Sequence, residues 1–153
     1  MTDRVSPHFT VDEMLTSATA ARMGRVVELD PAVRPNLERL ARTILEPLRA
    51  SLRRPIVVIS GYRPPWLNQA VGGSRRSQHM RGEAADIMVP GVATREVAER
   101  AVKLGLPFHQ LILEFPPQGW VHISIAPTGT LPAGDIKTAR KVNGATKYTR
   151  GLA

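Results

Sequence analysis

Two apolar runs decide the fold: Gln110-Leu111-Ile112-Leu113-Glu114-Phe115 and Trp120-Val121-His122-Ile123-Ser124-Ile125, separated by Pro116-Pro117-Gln118-Gly119. Short runs rich in β-branched residues around a Pro/Gly-rich connection read as a β-hairpin. Its register depends on loop length. A five-residue connection, 115–119, sets Glu114 opposite Trp120 and Ile112 opposite His122, so Glu114 and His122 share a face. A four-residue connection turns Glu114 to the other face, because a one-residue slip reverses every side chain.

Working outward, Pro55-Ile56-Val57-Val58-Ile59 reads as a buried strand ending in the turn Ser60-Gly61-Tyr62-Arg63-Pro64-Pro65. Ala84 to Val89 reads as another strand. Thr10-Val11-Asp12-Glu13 is a capping box opening a short helix to about Ala21. Asp30-Pro31 is an N-cap followed by a first-turn proline. Leu37, Leu40, Ile44, Leu45, Leu48 and Leu52 then recur at helical spacing, with Pro47 expected to kink the helix. Trp66 to Val71 is expected to form one or two helical turns, and Thr94 to Leu104 a further helix ended by Gly105. Helices and strands mix without regular βαβ alternation, so the class is α+β, with a small, mostly antiparallel sheet and helices on one side. One domain is expected over residues 1–153, with a core at about 8–126. The Gly/Thr/Lys-rich stretch 127–153 reads as a loosely held, basic, extended tail.

The chain of 153 residues has no cysteine, which excludes disulfides, thiolate zinc sites and a cysteine nucleophile. Its net charge of +8 points to an anionic partner: nucleic acid, an anionic membrane surface or an acidic wall polymer. Basic and aromatic residues do not interleave in the way single-strand binders use, and only 5% of residues are aromatic, so nucleic acid is not expected. No segment is apolar for long enough to span a bilayer. Residues 1–8 contain no apolar run, so synthesis in the cytoplasm without a signal peptide is expected.

Three segments carry chemistry. Asp86 sits inside the apolar strand Ala84–Val89, where an ionised carboxylate needs a cation, hydrogen bonds or a solvent-facing side. His122 alternates with Val121 and Ile123 and so faces away from them. His79 precedes Gly82, which permits a tight turn towards Asp86. Two imidazoles and one carboxylate leave a fourth zinc position open, as in catalytic sites. Singly, each residue reads equally as a packed histidine or a turn-capping aspartate.

Taken together, Ser-x-His-x-x-Gly-x-Ala-x-Asp at Ser77 to Asp86 and Trp-x-His at Trp120 to His122 resemble the M15 zinc peptidases. These are D-alanyl-D-alanine carboxypeptidases and L-alanyl-D-glutamate endopeptidases, phage endolysins among them. Ser60-Gly61-Tyr62-Arg63, Asn68 and Gly72-Gly73-Ser74 fit the same pattern. The resemblance implies a hedgehog-like, D-Ala-D-Ala-peptidase-like fold and a Zn2+ held by His79, Asp86 and His122. It implies Arg63 on the scissile carbonyl or a substrate carboxylate, and Ser77, Gln78 and Tyr62 beside the substrate. The substrate implied is the peptidoglycan stem peptide, cut by a monomer released to the wall, as in phage or prophage lysis. Where many members carry Glu-x-x-His, this chain has Gly119. Glu114 is the general base expected instead, as some branches place it, and Glu83 is the second candidate. His109 is expected to serve packing or the surface. The shifted glutamate leaves open a non-catalytic wall-binding or phage structural module that keeps the fold and the zinc.

Overall fold

The computed structural model describes residues 2–152. Its frame is a six-stranded sheet with helices packed against one face. A two-stranded hairpin comes first, β1 (Arg4–Ser6) and β2 (Phe9–Thr10), which the sequence reading did not anticipate. The Thr10 capping box forms as expected: Thr10 Oγ1 accepts from Glu13 N, and the Glu13 carboxylate accepts from Thr10 N. It opens only α1 (Val11–Met14). Ser17 then caps a separate α2 (Ala18–Arg22).

From Asp30 the chain runs through a 3-10 turn (Pro31–Val33), α3 (Arg34–Leu40), a π-helical turn (Ala41–Leu45) and α4 (Glu46–Leu52). Pro47 has no N–H to continue the α ladder, and the helix meets this by widening the preceding turn. Leu37, Leu40, Ile44, Leu45 and Leu48 are all fully buried, as their spacing requires. β3 (Val57–Ser60), α5 (Pro65–Ala70), β4 (Ala84–Met88), α6 (Thr94–Lys103), β5 (Phe108–Glu114) and β6 (Trp120–Ile125) follow.

The last segment departs from expectation. Instead of a loose tail, it forms β7 (Asp135–Val142) and β8 (Ala145–Arg150). The order across the sheet is β3-β4-β6-β5-β7-β8, and β5–β7 is the one parallel pairing among the described residues. The sheet is therefore larger than the small one expected. Thr138 and Ala139 are fully buried, and Leu152 packs on the core. Leu111, Leu113, Val121, Ile123, Ala85 and Ile87 pack under the helices, leaving the alternate residues of these strands for the opposite face. Among the described residues no helix is long and apolar enough to cross a membrane.

Candidate metal centre and its cavity

The β5–β6 hairpin has the five-residue connection, with Ile112 opposite His122 and Glu114 opposite Trp120. β4 lies on the other side of β6 and sets Asp86 opposite His122. Asp86, His122, Ile112 and Glu114 thus share the face that the helices leave uncovered. His79 reaches the same point from a 3-10 turn, Gln78–Arg81, capped by Ser77 and closed by Gly82 at φ +69°. That positive φ is the tight turn expected between His79 and Asp86.

His79 Nε2 and His122 Nδ1 lie 3.4 Å and 3.0 Å from the same oxygen, Asp86 Oδ1. One donor atom from each residue falls within 4.8 Å of the others. Ligand atoms on a tetrahedral zinc stand about 3.3 Å apart, so little movement separates this cluster from a coordination shell. A second feature fits a metal. His79 Nδ1 lies 2.8 Å from the Gly61 carbonyl, which can only accept, so Nδ1 carries a hydrogen and Nε2 is the nitrogen left for a metal. Gly61 is needed there, since a β-carbon would collide with the Met14 carbonyl. The donor set and its supporting hydrogen bond fit a zinc ion.

Burial works against ionisation of Asp86. His79 and His122 outweigh it by charge and hydrogen bonding, and hold the carboxyl well below the usual range. Glu114 has the opposite environment. Burial, reinforced by Asp86, pushes it up to about 7 against the pull of His122 and Arg63. Arg63 lies across the same cavity, where burial lowers its pKa and the charges of Asp86 and Glu114 partly restore it. Its Nη2 donates to Ser77 Oγ at 3.0 Å, and its Nε is buried without a partner among the described residues. A donor left unsatisfied in this way suits a ligand oxygen.

The cavity has a volume of about 610 Å3, and its wall includes His79, Asp86 and His122. Ser74, Arg76, Ser77, Gln78 and Arg81 add to the wall, as do His109, Gln110 and Asp135. Arg75 faces a different hollow, beside Asn68 and Met80. Ser77 caps the His79 turn and steadies Arg63, while Gln78 donates to the Ile125 carbonyl and to Glu83.

Two expected residues are not brought to the cavity. Tyr62 is 3% exposed and belongs to the hydrophobic core, because neighbours in extended chain point opposite ways and Arg63 takes the cavity side. Glu83 is buried against Arg81 at 2.8 Å, outside the cavity wall. Conversely, His109 and Asp135 line the cavity although neither was expected there. An extra residue in β5 between Phe108 and Leu111 shifts the register and lets adjacent His109 and Gln110 both reach it. Asp135 arrives with β7, and no local pattern in the sequence marks that pairing. At Gly119 a β-carbon would collide with the Glu114 carbonyl, so this hairpin cannot carry the glutamate of the Glu-x-x-His pattern.

A family model described as Peptidase M15 matches residues 7–124. The chain is also similar to the peptidoglycan L,D-endopeptidase MepK of Escherichia coli K12, at 25% identity over 114 residues, covering 69% of this chain and 56% of the relative. Proteins of the same name from Escherichia coli O157:H7 and Shigella flexneri match to the same extent. The chain spans about half the length of the curated relatives it matches.

Proposed function

The chain belongs to the M15 peptidase family, and from that premise we propose that it hydrolyses peptide bonds in peptidoglycan stem peptides with a zinc ion held by His79, Asp86 and His122. The observation that carries the reading is the convergence of Glu114 and Arg63 on the cavity of the His-Asp-His cluster. A module that merely kept the fold would not need a buried carboxylate and an arginine with an unsatisfied N–H beside the same cluster.

A zinc ion bound there supplies Lewis acidity, polarising a carbonyl and making water more acidic. The protein's own groups do the rest. Glu114, on the same face as His122, takes a proton from the attacking water and passes it to the leaving amine nitrogen. Without the metal, burial holds the Glu114 pKa up to about 7, and a cation beside it would favour the ionised form that accepts a proton. Arg63 offers its fork to the oxygen that gains negative charge or to a neighbouring substrate carboxylate. Ser77 holds Arg63 in place. Arg76 and Arg81 suit a substrate with several carboxylates. The relatives are named as endopeptidases, which favours that activity over an enzyme that only trims chain ends.

The test joins metal analysis to mass spectrometry of digested peptidoglycan. The expected result is about one zinc per chain and defined stem-peptide fragments, both lost in His122→Ala. Full zinc occupancy in that variant would remove the ligand assignment. Intact peptidoglycan after exposure to the zinc-loaded wild type would favour the non-catalytic module.

A further inference from the structure

The C-terminal hairpin lies outside the matched residues 7–124 and carries charge that the cavity does not use. Lys137, Arg140, Lys141, Lys147 and Arg150 stand there against a single acid, Asp135. The ladder decides which of them face the cavity. Ile112, opposite His122 on β5, pairs with Lys137 on β7, which pairs with Arg150 on β8. Glu114 leads likewise through Ala139 to Tyr148. Lys141 is two residues beyond Ala139 and joins the same face, whereas Lys147 and Arg140 point to the other.

Aromatic rings collect on that face too. Phe115 meets Trp120 edge to face, with ring centres 5.5 Å apart, and the Lys141 ammonium lies 5.6 Å from the Phe115 ring. Tyr148 is 57% exposed. Tyr148, Arg150, Lys141 and the Phe115 ring, from three segments of the chain, are thus assembled into one basic-aromatic surface. The shelf is continuous with the cavity, since Ile112, Glu114 and Asp135 line the cavity and border the shelf. Three strand spacings, about 14 Å, separate His122 from Arg150. That reach exceeds a single scissile bond and its immediate neighbours.

We propose that the β7–β8 face, centred on Lys141, Tyr148 and Arg150, is a second binding surface that holds the polymeric wall, an acidic peptide-bearing glycan strand, while the cavity takes one stem. Exposed rings offer flat apolar faces to sugars, and the ammonium and guanidinium groups meet stem carboxylates. The inference rests on the stem-peptide reading of the cavity.

The test compares two charge reversals that alter net charge equally on opposite faces of one hairpin, Lys141→Glu and Lys147→Glu, with Arg150→Glu and Tyr148→Ala as independent probes. All four residues are exposed. Each zinc-loaded protein is sedimented with insoluble peptidoglycan stripped of secondary polymers, and separately assayed on a short soluble stem peptide. Lys141→Glu, Arg150→Glu and Tyr148→Ala should each weaken sedimentation by roughly three- to tenfold, while short-peptide turnover stays within about twofold. Lys147→Glu should sediment like the wild type. Equal losses in Lys141→Glu and Lys147→Glu would reduce the effect to net charge and overturn the shelf, as would unchanged binding in all four. Binding only to wall that retains its phosphate-rich secondary polymers would overturn the glycan–peptide assignment. If the wild type cleaves no stem peptide, the proposed activity falls, and sedimentation still decides whether the shelf binds wall.

Discussion

Exchanging one Glu114 oxygen for an amide nitrogen removes the proposed proton acceptor and leaves the shape of the side chain almost unchanged. Glu114→Gln should therefore fold, hold zinc like the wild type and lose about a hundred- to ten-thousand-fold in stem-peptide turnover. Glu83→Gln is the control. Its carboxylate is occupied by Arg81 and Gln78 away from the cavity, so the change should cost some stability and little turnover. Normal hydrolysis by Glu114→Gln would remove Glu114 from the chemistry. Arg63→Lys keeps a charge but gives up the planar fork that spans Ser77 and the cavity. Turnover should fall at least about tenfold with zinc content unchanged, and a wild-type rate would leave Arg63 an ordinary turn residue. The clustering of His79, Asp86 and His122 was legible only through the resemblance of Ser77–Asp86 and Trp120–His122 to the M15 motifs, since singly each residue reads equally well as packing or capping. Tyr62 was misread because its neighbour Arg63 fits the same motif, and nothing in the pair says which of the two turns inward.

At the scale of elements, the β5–β6 hairpin was legible because a loop length fixes a register, and residues 115–119 can be counted in the sequence. β7 was not. It joins the sheet by a parallel pairing to β5, more than twenty residues away, and its sequence Asp135-Ile136-Lys137-Thr138-Ala139-Arg140-Lys141-Val142 lacks the apolar alternation that marks a half-buried strand. Its burial falls on Thr138 and Ala139, whose small side chains leave no hydrophobic signature. The pairing nevertheless supports the site. Without residues 127–153, β5 would become an edge, with the backbone of Leu111 to Glu114 unpaired on one side and the Asp135 wall of the cavity removed. A chain ending at residue 126 should therefore melt well below the full chain and tend to aggregate, which scanning calorimetry and light scattering would register. Equal melting temperatures would restore the view of this segment as a loose appendage.

For the whole molecule, the cavity places groups of opposite pH behaviour side by side, and the metal should reverse which of them dominates. In the metal-free protein Glu114 titrates at about 7, well above an ordinary glutamate, so folding binds its proton more tightly. A raised carboxyl pKa contributes stability that is complete below the unfolded value, near 4.5, and is lost as pH climbs through 7. Asp86 works the other way. Its depressed pKa contributes stability above the ordinary aspartate range that is lost only on acidification, so it is constant from pH 5.5 to 7.5. Within that window the chelated wild type should lose stability as pH rises, and Glu114→Gln, which has no proton to lose, should lose less. A zinc ion held as proposed would bind the folded arrangement alone and compete with protons for its ligands, so its contribution would grow with pH. With excess zinc the melting temperature should rise between pH 5.5 and 7.5, opposite in sign to the chelated protein. Melting curves at the two pH values, with chelator and with zinc, provide the check. The same slope in both conditions would mean that no metal is linked to folding at this cluster. A chelated Glu114→Gln as pH-sensitive as the wild type would mean that another group carries the titration.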